Sequence, residues 1–405
     1  MACAHFADTA LHKRILTCAP APPDKRRGTQ MGAPQMHRRD FVTGLAALGG
    51  SLMLAQRAGA VAPISDPALA KFIHGLPKSE YHVHLEGTLE AEMKFALARR
   101  NGMNLPFADV AAMKASYQYH DLPSFLAIYY DGMKVLQKEP DFYDLAHAYL
   151  SKAASQNVIY TEMFFDPQEH LKRGVAMADV IGGITRARRD AQSRLGIRSQ
   201  LILCFVRDLS ADSAMAALDA ALPFKSDLVG VGLDSDEAGN PPEKFREHFA
   251  KARANGLKVT AHCDVDQTDT LKNIRTVLTD LNVDRIDHGG NIVQSPELVA
   301  LAKARGIYFT VCPTFSGTLR RTEKVPVDVV RAMLDAGLKV TISSDDPAYM
   351  GSEYIDDVLI RAVDRSRLTR AELVAMTRYG FEAAWLPDAD KEAMIARLDA
   401  YLKSA

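Results

Sequence analysis

Along the body of the chain, apolar positions fall into two alternating patterns. Segments with helical spacing lead into short β-rich runs, and a glycine marks each junction. Leu195-Gly196 precedes LILCFV, Asn255-Gly256 precedes LKVTAH, Arg305-Gly306 precedes IYFTVCP and Ala336-Gly337 precedes LKVTISSDD. A glycine just past a helix end takes the left-handed conformation without a Cβ penalty. Helix starts carry matching signals. Asn240-Pro241 opens PPEKFREHFAKARA, with Phe245, Phe249 and Ala252 spaced for one buried face, and Ser295-Pro296 opens PELVALAKAR.

This grammar predicts eight strands, near Glu80–His84, Val158–Phe164, Gln200–Val206, Leu228–Leu233, Lys258–His262, Arg285–His288, Ile307–Cys312 and Lys339–Ser344. Strands alternating with helices argue for parallel βα units. Eight such units suggest a (β/α)8 TIM barrel, with a doubly wound open sheet as the alternative. Polar residues gather at the C-terminal ends of many strands, as a barrel requires, whereas an open sheet would concentrate them at one crevice. The connection from Leu89 to Asn157 is long and holds two helical stretches, DLPSFLAIYYDGMKVL and DFYDLAHAYLSKAA. It is expected to form a helical cap inserted after strand 1.

Composition agrees with a globular enzyme-sized body. Of 405 residues, 47% are hydrophobic and 24% charged, which excludes disorder, collagen and coiled coil for the bulk of the chain. The net charge of −1 gives no footprint for a nucleic-acid binder. The balance is uneven, however: residues 1–60 carry +5 and the remainder −6. Within that basic head, Arg38-Arg39-Asp40-Phe41 precedes a short Gly/Ala-rich apolar run to Ala55. Ala58-Gly59-Ala60 and Ala60-Val61-Ala62 then fit the small-residue cleavage pattern. Residues 36–62 therefore read as a twin-arginine signal peptide, and the protein as periplasmic or secreted with no membrane anchor after cleavage. A basic tail or a buried helix is the alternative. Residues 1–35 show no clear periodicity, and Met36 or Met31 is the expected start. The domain that remains is 63–405. Three scattered cysteines in it, Cys204, Cys263 and Cys312, make no disulfide framework.

Candidate chemistry sits at strand ends. Period-two alternation puts His82 and His84 on one face of strand 1. His262 ends strand 5, His288 ends strand 6, and Asp345 and Asp346 end strand 8. Three histidines and a carboxylate are ligand types for a divalent ion such as zinc. Buried ionisable groups are costly unless paired or metal-bound.

The segments HVHLEGTL, YTEMFFDPQEH, VGVGLDSDEAGNPPEKF, KVTAHC, RIDHGGN, VCPTFSG and TISSDDPAY resemble, in order and spacing, the adenosine/adenine deaminase family of the amidohydrolase superfamily. The resemblance covers Leu76 to Leu402. It implies a barrel with one zinc held by His82, His84, His262 and Asp345. It further implies that His288 orients or deprotonates the attacking water, that Asp346 binds N7 of a purine, and that Ser235 lies beside N3. The implied reaction is hydrolytic deamination of a 6-aminopurine, adenine or adenosine, with release of ammonia.

One position departs from the family. The proton-donating Glu of its HAGE motif is replaced in His262-Cys263-Asp264-Val265-Asp266 by Val265. Asp264 would substitute if the chain stays extended, since residues two apart share a face. Asp266 would substitute by a different loop path. Otherwise the chain binds a purine-like ligand without turning it over, or hydrolyses another amine-bearing substrate. Loss of one general acid costs about 10²–10⁴ in rate. Glu86 stands where nucleoside-specific members carry an Asp that contacts ribose. A longer acid there favours a free base, unless Glu86 only caps the following turn. Thr314, Phe315 and Ser316 would line the mouth.

Overall fold

The computed structural model describes residues 66–263, 269–313 and 328–404. The expected leader at 36–62, the segment 1–35, the Asp264-Val265-Asp266 loop and Thr314 to Ser316 lie outside the described residues.

Eight parallel strands pair in chain order: β1 Lys78–Glu80, β2 Val158–Phe165, β3 Arg198–Val206, β4 Leu228–Asp234, β5 Lys258–Cys263, β6 Arg285–His288, β7 Tyr308–Val311 and β8 Lys339–Ile342. This is the (β/α)8 barrel, and it rules out the open sheet. Regular pairing in β1 stops at Glu80 because the next residues reach both neighbours at once. Val83 bridges Asp345 and His84 bridges Phe164. The His84 N–H donates to Asp345 O (3.1 Å) and the Asp345 N–H to His82 O (2.9 Å). These bonds close the cylinder between its first and last strands.

Alternation along the strands sorts side chains into two layers. Val231, Leu233, Val259, Ala261, Ile286, Phe309 and Val340 are buried in the shell between sheet and helices, each worth roughly 1.5–3 kcal/mol. Their alternate neighbours point into the lumen. The helices are α1 Pro67–Gly75, α2 Ala91–Arg100, α3 Val110–Ala115, α4 Leu122–Gly132, α5 Glu139–Ser155, α6 Pro167–Leu171, α7 Met177–Leu195 and α8 Ala211–Ala221. They continue with α9 Arg246–Ala254, α10 Thr270–Thr279, α11 Pro296–Ala304, α12 Val329–Asp335, α13 Ile355–Ser366, α14 Arg370–Ala383 and α15 Asp388–Ser404. Gly196, Gly256, Gly306 and Gly337 all have φ between 65° and 82°, as the helix–glycine–strand pattern requires. Ser295 caps α11 by accepting from Leu298 N, and Phe249 and Ala252 bury one face of α9 beside Phe245.

The long first connection divides in two. Helices α2 to α4 form the cap. α5 does not belong to it: Phe142, Leu145, Ala146, Tyr149 and Leu150 bury its face, and it packs against α7 and β2 as the first outer helix of the barrel. Among the described residues, no helix is long and apolar enough to cross a membrane.

Candidate active site

The C-terminal mouth of the barrel gathers the strand-end residues. His82, His84 and His262 each present a ring nitrogen to a common point, all within 4.8 Å of one another. The Nε2 atoms of His84 and His262 face each other at 3.2 Å. Asp345 Oδ1 lies 3.4 Å from His82 Nε2 and 3.6 Å from His84 Nε2, and Asp345 Oδ2 is 3.9 Å from His288 Nε2. The four imidazoles and the carboxylate are all less than a tenth exposed. His82 Nε2 has no hydrogen-bond partner within the protein. Buried lone pairs converging without donors fit a divalent cation better than any arrangement of these groups alone.

Backbone strain aims two of these side chains. Asp287 faces the lumen, so strict alternation would turn His288 outward; His288 instead has φ 60°, and Asp345 has φ 65°. Ser235, also at the mouth, has φ 70°. Non-glycine residues in this region cost about 1–3 kcal/mol each. Gly87 answers a different demand. A Cβ there would fall 1.9 Å from Asp346 Oδ1 and 2.8 Å from Asp346 Cα, so the turn after His84 approaches Asp346 only with glycine.

Electrostatics sort the groups into roles. Burial lowers His84 to about 4 and His288 to about 3, the neighbouring imidazoles adding to the effect. Both are neutral at pH 7. Burial opposes charge on Asp345, but His82 and the other imidazoles hold it well below the usual carboxylate range. Its neighbour Asp346 is pushed far up by burial and by Asp345, which favours its protonated, hydrogen-bond-donating form. Burial and Asp345 also raise the Cys312 thiol, which keeps that sulfur neutral although it lies with His82, His288 and Asp345.

The cavity at this mouth is lined by His84, His262, His288, Asp345, Asp346, Asp166, Asp234 and Ser235, and by Leu122, Phe125, Leu126, Tyr129 and Tyr130 of α4. The Asp121 capping box starts that helix. The Tyr130 hydroxyl donates to Ser235 Oγ (2.8 Å), tying cap to barrel. The structure thus brings together six expected strand-end residues and Ser235. Glu86 is buried but does not line the cavity. Its Oε1 accepts from His170 Nε2 (2.7 Å) and from Asp166 N (3.2 Å), so it braces Asp166 rather than capping its own turn. Asp264 lies outside the described residues.

Three carboxylates escaped the sequence reading. Asp166 and Asp234 line the cavity, and burial raises both, Asp234 to about 7. Asp234 Oδ2 also sits 3.5 Å from His84 Nδ1. Asp287 is wholly buried behind His262. The alternation of Arg285 and Asp287 in a four-residue strand was the available signal for it.

Comparison with known proteins agrees with this geometry. The sequence model of the adenosine deaminase family matches residues 77–401. An adenine deaminase from Sphingopyxis alaskensis is 46% identical over 82% of this chain and 96% of its own. The crystal structure of an adenine deaminase from Arthrobacter aurescens superposes with a TM-score of 0.77 at 37% identity, covering 81% of this chain and 99% of that one. An amidohydrolase from Burkholderia ambifaria, solved with bound zinc, gives a TM-score of 0.75 at 30% identity, covering 86% and 96%.

Proposed function

The chain belongs to the adenosine deaminase family and is a hydrolytic purine deaminase; on that premise we propose that its substrate is free adenine and its metal is zinc. The observation that carries the reading is the buried convergence of His82, His84, His262 and Asp345 at a cavity that Asp346 also lines. These four residues would hold the ion, which lowers the pKa of water toward ~7 and so supplies a nucleophile at neutral pH.

This chain's residues do the rest. His288, neutral and 3.9 Å from Asp345 Oδ2, accepts a proton from the water that attacks C6. Asp346 donates to the N7 lone pair and fixes the ring. Asp264 delivers the proton to N1 that the family's Glu would supply. The C6–N bond then breaks as His288 returns its proton to the leaving amine and the C6 hydroxyl gives its proton back to Asp264, so ammonia leaves and a 6-oxopurine remains. Asp264→Asn that loses turnover but keeps its metal supports that assignment; an unaffected Asp264→Asn with a dead Asp266→Asn moves the role to Asp266.

Two features of the cavity favour a base. Four carboxyl groups and, among its described lining residues, no Lys or Arg face the ligand, which disfavours a phosphate. With Ser235 at the N3 edge, the Tyr130–Ser235 bond stands where a 9-substituent would pass. The test is ammonia release by the zinc-loaded chain from residue 63 onward, offered adenine, adenosine, N6-substituted adenines, guanine and cytosine. Adenine is expected to exceed adenosine at least ~10²-fold in kcat/KM, a margin set by clashing or unpaired polar groups. Comparable rates overturn the free-base reading. Silence across the panel with zinc bound overturns the purine substrate.

Export through the twin-arginine route is proposed for the full chain. It rests on the Arg38-Arg39 segment, and fractionation of cells expressing wild type and Arg38→Lys/Arg39→Lys tests it. Activity confined to the cytoplasm in both overturns it.

A further inference from the structure

We propose that Asp287 is the positioning residue for two of the three histidines at the centre, fixing which nitrogen of His82 and of His262 faces the ion; the inference rests on the metal reading above. The placement follows from strand register. His262 on β5 pairs with Asp287 on β6, and Asp287 pairs with Thr310 on β7. These three side chains line up across adjacent strands inside the lumen.

Donor counting then sets the tautomers. Thr310 has one hydroxyl proton, and it goes to Asp287 Oδ1 at 2.7 Å. Thr310 Oγ1 can therefore only accept from His82 Nδ1, 3.1 Å away, and the Thr310 carbonyl at 3.2 Å can only accept as well. Nδ1 of His82 must carry its hydrogen, which leaves Nε2 as the bare nitrogen beside Asp345. On the other side, Asp287 Oδ2 lies 3.5 Å from His262 Nδ1 and accepts from Thr260 Oγ1 at 2.7 Å. Nδ1 of His262 has no hydrogen-bond partner among the described residues, so the carboxylate acts on it by its charge: it favours the hydrogen on Nδ1 and leaves Nε2 toward His84 Nε2. One wholly buried carboxylate thus serves ligands from β1 and β5, directly for His262 and through a threonine hydroxyl for His82. For His84 the nearby carboxylate is a different one, Asp234, whose Oδ2 lies 3.5 Å from His84 Nδ1.

Partners in this position typically change metal affinity 10–100-fold, i.e. by about one to two decades. The experiment is competition for zinc between the protein and a chelator, alongside the visible spectrum of the cobalt-substituted protein. Asp287→Asn is expected to lower zinc affinity by about 10–100-fold and to perturb the cobalt bands. Thr310→Val, which removes the hydroxyl link between Asp287 and His82 but keeps the Thr310 carbonyl beside His82 Nδ1, is expected to lose less. Thr260→Val removes a bond to Asp287 but touches no ligand, and should leave zinc affinity unchanged. A purely structural role would instead lower the melting temperature in all three with no change in affinity. Asp287→Asn with wild-type affinity, or Thr260→Val weakened equally, overturns the positioning role. Wild-type protein that takes up no zinc overturns the metal reading and this inference with it. If Asp287→Asn does not fold, the contrast between Thr310→Val and Thr260→Val decides.

Discussion

The two sides of the barrel lumen are built on different principles. Across β2 to β4, Phe164, Ile202 and Cys204 form a small apolar cluster of their own, with Trp385 and Val229 packed against it. Two glycines of β4 make room for it: a Cβ on Gly230 would meet Trp385 at 2.5 Å, and one on Gly232 would meet Cys204 Sγ at 2.7 Å. From β5 round to β1, the lumen is instead filled by Thr260, His262, Arg285, Asp287, Thr310 and His82, joined by hydrogen bonds and ion pairs that Arg285 extends across to Glu162 on β2. The first arc is specified by volume and the second by matching donors to acceptors. An apolar arc tolerates changes that preserve size. A polar arc loses the full desolvation penalty of whichever partner is left unmade. The ion-binding centre lies where the two meet, with Phe164 ring-to-ring at 5.1–5.4 Å from His82, His84 and His262.

The largest expected effects sharpen this contrast from the polar side. Chelation should abolish deamination and added zinc restore it, read as ammonia release with metal content measured on the same sample. His288→Ala should keep its metal and lose about 10²–10⁴ in kcat, the worth of a positioned base. Next, Arg285 and Glu162 form a buried ion pair at 2.8 Å. Arg285→Met alone should cost about 3–5 kcal/mol in denaturant unfolding, because it leaves a buried charge uncompensated. Adding Glu162→Gln should recover part of that loss. A double variant no better than the single would break the view of this arc as a matched network.

On the apolar side, Gly230→Ala should cost about 1–3 kcal/mol by overpacking against Trp385 and the Lys258 backbone. Its kcat and zinc content should stay near wild type. A large loss of metal would show that the arcs are not separable. The smallest effect lies outside both arcs, at a buried amine with no carboxylate bonded to it among the described residues. Lys94 in α2 donates to the Tyr117 hydroxyl (2.8 Å) and lies 4.0 Å from the Tyr349 ring centre. Burial lowers it to about 7 from an ordinary 10.5. Between those values the unfolded chain binds a proton that the folded chain does not, so stability rises with pH across the window. Lys94→Met should flatten that rise, by a few degrees in Tm between pH 7 and 10.

Much of this architecture could be read from the sequence because it rests on repeated local signals. The helix–glycine–strand junctions gave the strands, and β6 begins and ends where expected. His82 and His84 were legible because two residues of spacing put both rings on one face. What escaped was set by tertiary geometry. Nothing in the sequence says that His288 and Asp345 take positive φ, since neither is glycine. Glu86 was expected in the pocket, yet His170, 84 residues away, turns its carboxylate aside and leaves Asp166 to face the ligand. Asp287 hid because its one signal, alternation with Arg285, spans a strand of only four residues.

The seam of the barrel adds a consequence for how the molecule comes into being. His82 and Ser343, bonded across it, stand 261 residues apart in the chain, and the bonds between His84, Asp345 and His82 complete the ring. The ligands on the first strand and on the last therefore meet only once nearly the whole body has been synthesised and its ends have found each other, the slowest kind of contact for a chain to make. An ion held by His82, His84, His262 and Asp345 would therefore load late in biogenesis. Held from both ends, such an ion would act as a clasp: breathing of the seam and escape of the ion would become one motion, and the rate at which a chelator strips the protein would measure how often the ring opens.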